Sequence, residues 1–292
     1  MPKLDTRLHA YRPDLADRQL EGLIEAVRFT DGIPHQVTAP FLPVRQSPRP
    51  TAPQDTVLLH GETVRVFDSG SGWAWIQNDA DSYVGYVDHN GLAASISKPT
   101  HRVSTLRTLV FPDNSIKSPP LMDLSFASAV TVKDVDGKMA VIGLANGGSG
   151  FVPSQHLAPV LEPETDPIAV ALQFLGAPYL WGGKTADGLD CSALVQLAFT
   201  SCGIPCPRDT DMQENGFGEP VAFTGDESLL KTGDCVFWPG HVGIWIDPQR
   251  FLHATAAFMK CVVEPLSTAI LRISSEAGLE VRAVRRPGTG KP

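Results

Sequence analysis

Apolar and polar positions change their period along this chain. Over the first thirty residues Leu15, Leu20, Leu23, Ile24 and Val27 fall near one face of a helical period, and Asp14 stands where a cap would, so the spacing predicts a short helical lead. A proline-rich stretch from Pro34 to Pro53 follows and reads as extended or loop-like, outside any compact core. Strand-like alternation then takes over, and it occurs twice. The segment starting at Glu62 (ETVRVFDSGSGWAWIQ) matches the segment starting at Ser128 (SAVTVKDVDGKMAVIG), 66 positions later. The segment from Ser82 (SYVGYVDHNGLA) matches that from Gly147 (GSGFVPSQHLAP), 65 positions later. Each copy holds an alternating strand (Val64 and Val66; Val130 and Val132), then a glycine turn (Ser71-Gly72; Asp136-Gly137) and a second strand. A third strand ends in Gly85-Tyr86-Val87 or Gly150-Phe151-Val152. Short strands with turn signals at this spacing, repeated at a nearly constant offset, predict two small barrels.

From Glu162 the texture changes. In DPIAVALQFLGAPY, Asp166 is placed to cap a helix, Pro167 occupies its first position and Gly176 lies past its end. A second helix is predicted over DCSALVQLAFTSCGIP, capped by Asp190 and stopped by Gly203 and Pro205. Strands follow in DCVFW, HVGIWI and RFLHAT, separated by Pro239-Gly240 and Asp247-Pro248, with a further one near Val281 to Val284. Helices first and antiparallel strands second is an α+β arrangement.

Composition narrows the function. The 292 residues carry 24 Lys and Arg against 32 Asp and Glu, a net charge of -8 that argues against nucleic acid or an anionic membrane as partner. No apolar run approaches the roughly 18 residues of a membrane span. Charged residues break up the first twenty positions, which lack the apolar core of a signal peptide, so a cytoplasmic location with reduced thiols is expected. Five cysteines, an odd count, all lie between Cys191 and Cys261.

Cys191 is the candidate nucleophile. It opens a predicted helix, where unpaired N–H groups and the helix dipole favour a thiolate, and it follows a glycine-rich turn that leaves room for a substrate. Cys202, Cys206, Cys235 and Cys261 lack such settings and read as buried structural thiols. A cysteine nucleophile needs a base and a group to orient that base. His241 begins one strand and His253 lies in the next. An odd-numbered loop around Asp247-Pro248-Gln249 places His253 opposite Gly243, on the face of His241 and diagonal to it, about 7 Å away at the β-carbon. An even-numbered loop sends His253 to the other face. Zinc held by Cys191, His241 and His253 is the competing chemistry, but the chain has no C-x-x-C or H-x-x-x-H pair.

Taken together, PYLWGGKTADGLDCSALVQ, PRDTDMQ, GDCVFWPGHVGIW and FLHAT resemble the NlpC-type cell-wall cysteine peptidases over about 125 residues, and the repeat resembles tandem bacterial SH3 domains. The resemblance implies a multidomain chain: two small all-β SH3-like barrels followed by an α+β papain-like (NlpC-type) catalytic domain. The expected boundaries are a helical lead over 1–34, the first barrel over 35–97 with the proline-rich stretch, the second over 98–161 and the peptidase over 162–292.

It also implies a Cys-His-His triad matching Cys191, His241 and His253, with Tyr179 aiding oxyanion stabilisation and no metal or organic cofactor. The architecture is similar to γ-D-glutamyl-L-diamino acid endopeptidases. That likeness implies a small murein-derived substrate, L-Ala-γ-D-Glu-diamino acid with a free amino terminus, in cell-wall peptide recycling. Tyr83 in DSYVGY and Asp209 with Thr210 in the PRD motif would recognise that terminus, with Asp190 as a further pocket residue. Thr210-Asp211-Met212 departs from the serine and small or polar run that is more usual there. A non-catalytic murein-binding scaffold and a related papain-like amidase or acyltransferase are the alternatives.

Overall fold

In a computed structural model that describes residues 4–144 and 147–288, the first repeat forms a seven-stranded antiparallel sheet. The ends of the expected lead and peptidase domain, residues 1–3 and 289–292, lie outside the described residues. From one edge to the other the strands are Gln54–Leu59, Phe41–Arg45, Val84–Asp88, Trp73–Asn78, Thr63–Gly70, Ile33–Val37 and Leu92–Ala93. The proline-rich stretch therefore supplies two strands, contrary to the expectation that it stays outside a core. Val37, Leu42 and Val44 are buried in the sheet's apolar cluster. Pro43 is tolerated because its strand meets the Val84–Asp88 strand only at Arg45, so the missing N–H breaks no central ladder.

The second repeat spans three smaller sheets built from eight strands between His101 and Pro159. Its core repeats the first position by position. Val103, Val110, Leu124, Val130 and Ile142 stand 66 residues after Val37, Val44, Leu58, Val64 and Ile76, and Val152 stands 65 after Val87. The one-residue shortening falls between Ile142 and Val152.

Among the described residues the lead forms no α-helix. Residues 16–30 form two-residue strands around a single turn of 3-10 helix, Arg18–Leu20, and Asp17, not Asp14, caps it. The five apolar residues read as one helical face divide: Leu15 and Leu20 are buried, whereas Leu23 and Val27 are exposed. Gly22, at φ +83°, cannot continue a right-handed helix cheaply. The segment gains more by packing flat on the first sheet. Ala10 and Leu15 cluster with Phe67 and Trp75, and the Arg12 guanidinium stacks 4.3 Å above the Trp75 ring.

The chain divides into two compact units, with the boundary between Leu161 and Glu162. In the second unit Asp166 caps α1 (Pro167–Leu172) through the Ile168 N–H, and α2 (Cys191–Thr200) is buried nearly all round. A six-stranded antiparallel sheet follows in the order Glu219–Pro220, Ala283–Arg286, Cys235–Trp238, His241–Asp247, Arg250–Thr255 and Lys260–Glu264, and α2 packs on its central strands. The structure adds α3 (Thr210–Gly216), the strand Lys260–Glu264 and α4 (Leu266–Ala277) to the predicted elements. A signal for α4 is present: Leu266, Ala269 and Ile273, the positions it buries, lie on one helical face, and Gly278 ends it at φ +66°.

Candidate active site

The site starts at the head of α2. Asp190 accepts a hydrogen bond from Ala193 N–H at 2.8 Å, the capping bond that fixes where the helix begins and so where Cys191 stands. Its carboxylate also takes Gly182 N–H at 2.9 Å, the Ser192 hydroxyl at 3.1 Å and both arms of Arg208 at 2.9 and 2.8 Å. Five donors fill the acceptor capacity of a carboxylate. Asp190 therefore anchors the helix start. Arg208, only 1% exposed, lies inside the PRD motif but was not singled out from sequence. A buried arginine must find an acid, and that acid is the helix cap.

Two strands bring the imidazoles together, by a route the loop parity did not foresee. Asp247 pairs with Arg250 across a two-residue turn, the even-numbered case that sends His253 to the far face. A β-bulge between Trp245 and Asp247 then shifts the register by one, so that Trp245 faces Phe251 and Ile244 faces Leu252. Carried one pair further, this register sets His253 opposite Gly243 and on the face of His241. His241 Nε2 lies 2.9 Å from His253 Nδ1, with the rings edge to face at 5.1 Å. Gly243 is required there, because a β-carbon in its place would lie 2.8 Å from His253 Cβ.

Cys191 meets this pair from the helix side. Its sulfur lies 3.7 Å from the Thr210 hydroxyl at the head of α3, and the N–H of Val242, the residue after His241, is near enough to pull the thiol pKa down. With Nε2 committed to His253, Nδ1 is the His241 nitrogen left to serve the thiol.

Electrostatically the site is quieter than a helix start alone suggests. Burial, then the Asp190 charge, pushes the Cys191 thiol up to about 11, against the hydrogen bonds from Thr210 and Val242 and the charge of Arg208. Burial, then the charges of His253 and Arg272, pulls His241 down to about 3. Burial thus favours the neutral thiol and the neutral imidazole, where the helix-start argument favoured a thiolate. Tyr179 lies close enough to feel the charges of Cys191 and Asp190, and burial, followed by those charges, raises its phenol so that it stays a donor.

Beyond the histidines lies a pair absent from the sequence expectations. Glu264 Oε1 is 2.9 Å from His253 Nε2, and the same oxygen accepts a hydrogen bond from Arg272 of α4. His253 is fully buried. Its position in RFLHAT was legible; its acid was not, because Glu264 ends a strand the alternation did not reveal.

Among the other expected residues, Asp209 stands at the cap position of α3, directly before Thr210, without a side-chain cap bond. Tyr83 packs in the apolar cluster of the first repeat. Cys202, Cys206, Cys235 and Cys261 are buried thiols outside any disulfide. Among the described residues no group of His, Cys, Asp and Glu is gathered as a metal-ligand set, and no helix is long and apolar enough to cross a membrane.

Comparison with known proteins bears on both units. Residues 176–272 match the NlpC/P60 family, and residues 44–92 match the bacterial dipeptidyl-peptidase SH3 domain. The chain is 27% identical over 218 residues to dipeptidyl-peptidase 6 of Lysinibacillus sphaericus, covering 68% of this chain and 79% of that one. It is 26% identical over 223 residues to the gamma-D-glutamyl-L-lysine dipeptidyl-peptidase of Bacillus subtilis, covering 68% and 71%. A crystal structure of an NlpC/P60 family protein from Bacillus cereus superposes with a TM-score of 0.72 at 18% identity, covering 87% of this chain and 99% of that one, and shows the same fold.

Proposed function

Since the chain carries an NlpC/P60 domain and a bacterial SH3 domain, we propose that it is a cysteine endopeptidase that hydrolyses the γ-D-glutamyl-diamino acid bond of murein peptides bearing a free N-terminal L-alanine. The observation that carries this reading is the convergence of Cys191, His241 and His253 at one end of a helix and one face of a sheet. The names of the Lysinibacillus and Bacillus relatives support the substrate class. The second repeat, which reuses the core positions of the first, reads as a second SH3-like domain.

The chemistry follows from the neutral pair that burial favours. As Cys191 Sγ attacks the γ-glutamyl carbonyl, its proton passes to Nδ1 of His241, so that no free thiolate is held in the empty site. The Cys191 N–H at the helix start and the Tyr179 hydroxyl stabilise the oxyanion. His241 returns the proton to the leaving amine of the diamino acid. Water activated by the same imidazole then releases the L-Ala-γ-D-Glu acyl group from sulfur. Asp209, one residue from the Thr210 hydroxyl beside the nucleophile, supplies the carboxylate for the substrate's ammonium. Action on released wall peptides in the cytoplasm completes the reading, and cell fractionation tests that part.

Cys191→Ala is expected to abolish hydrolysis of L-Ala-γ-D-Glu-diaminopimelate while leaving the circular dichroism spectrum unchanged. Full activity in that variant overturns the proposal. N-acetylation of the substrate should remove most of the rate; an unchanged rate removes Asp209 from amine recognition.

A further inference from the structure

We infer that Glu264, held by Arg272, is a positioning residue that fixes the tautomers of His253 and His241 and thereby aims the lone pair of His241 Nδ1 at the Cys191 thiol. The inference rests on the nucleophilic role proposed above for Cys191.

An imidazole has two nitrogens, and in the neutral ring one donates while the other accepts. Which does which is settled by the neighbours. Burial favours a neutral acid at Glu264, but its hydrogen bonds with His253 and Arg272 outweigh that and hold its carboxyl below the usual range, so it is ionised and can only accept. His253 Nε2, 2.9 Å from that carboxylate, must therefore carry the proton. His253 Nδ1 is then an acceptor, and the group donating to it across 2.9 Å is His241 Nε2. With its proton on Nε2, His241 presents an unprotonated Nδ1, the state required of a general base. One carboxylate sets two rings in series.

The placement makes the effect strong. His253 is 0% exposed, so water does not compete for Nε2. Glu264 ends the strand paired with the His253 strand, two residues before α4 begins at Leu266, and Arg272 reaches back from α4 to the same oxygen. Arg272 also stacks 4.9 Å from the Phe258 ring, which fixes the guanidinium from the other side. The carboxylate is thereby held in one rotamer, and most of its charge is balanced. A balanced acid orients His253 without pulling a proton fully onto the histidine pair, in keeping with the downward shift of both imidazoles, which burial chiefly causes.

The test uses three full-length variants. Glu264→Met keeps the volume and removes the acceptor. Glu264→Gln keeps an acceptor oxygen. Glu264→Met combined with Arg272→Met removes the stranded guanidinium as well. General acid–base catalysis supplies about 10²–10⁴-fold, so E264M and the double variant should lose about 10²-fold or more in kcat on the γ-glutamyl peptide, with KM within about twofold. E264Q should retain most of the rate. Nitrogen-15 NMR of the histidines should show protonated Nε2 at both positions in the wild type and E264Q, and a mixture of tautomers in E264M.

Wild-type kcat in E264M, or unchanged histidine tautomers in that variant, overturns the inference. Loss of activity in E264M with equal loss in E264Q and unchanged tautomers assigns a charge effect instead and also overturns it. If the wild type fails to cut the peptide, the proposed substrate falls, while the NMR readout and the rate of Cys191 alkylation still decide the role of Glu264.

Discussion

Replacing Gly243 with alanine probes the geometry that unites the site. The added methyl carbon would stand 2.3 Å from Phe251 Cζ and 2.8 Å from His253 Cβ, where relaxed carbon contacts lie at about 3.5–4.0 Å. Neither neighbour has room to retreat. Phe251 is fully buried with its ring against Trp238, and His253 is tied at both nitrogens. Forcing a methyl into such a core costs about 1–3 kcal/mol, which for a unit of this size lowers Tm by about 3–15 °C. The same push displaces the His253 ring from His241, and a misplacement of about 1 Å in a catalytic constellation costs about 10²-fold in rate. Calorimetry and peptide hydrolysis therefore read the two consequences separately. G243A with wild-type Tm and wild-type kcat would refute the packing argument, and with it the register that sets His253 opposite Gly243.

Three further outcomes follow from the same site. Arg208→Met strands the Asp190 carboxylate in a buried setting, and the catalytic unit should lose about 3–5 kcal/mol in chemical denaturation; a change below about 1 kcal/mol contradicts the anchoring role. Tyr179→Phe should lower kcat by about 10²-fold with little change in KM, the usual cost of one oxyanion donor; an unchanged kcat removes Tyr179 from the mechanism. Because the Cys191 thiol is pushed up to about 11 and His241 down to about 3, the neutral forms dominate between those values. Alkylation of Cys191 by iodoacetamide should then climb steadily with pH above about 8. A flat plateau from about pH 5 to 8 would show a standing thiolate–imidazolium pair instead.

The parts legible in the sequence share a physical feature: their information is local. Asp190 before Cys191, Asp166 before Pro167 and the alternation from His241 to Ile246 each signal their element within a few residues. The repeat was legible because its core positions recur at a nearly constant offset, and the structure packs the recurring positions in two like clusters. What stayed hidden depends on partners far along the chain. Leu15 and Leu20 sit at helical spacing, yet a sheet surface formed by Phe67 and Trp75 claims the lead and holds it flat. The parity of the Asp247–Arg250 turn pointed away from a shared histidine face, and one bulged residue in the preceding strand reversed it. Arg208 lay in view inside a quoted motif, but its worth appears only when α2 delivers Asp190 to it. Glu264 and Arg272 carry no local signature at all. Their role comes from a strand pairing that brings Glu264 to His253, and from the turn of helix that brings Arg272 to Glu264.

The proposed function requires that Cys191, and no other thiol, take the acyl group from a γ-glutamyl peptide. Rapid quenching in acid during turnover of L-Ala-γ-D-Glu-diaminopimelate, followed by intact-mass and peptide-level mass spectrometry, reads this directly. One L-Ala-γ-D-Glu acyl group in thioester linkage is expected on the peptide containing Cys191, absent from C191A. An adduct on a different residue, or hydrolysis that proceeds in C191A, would contradict it.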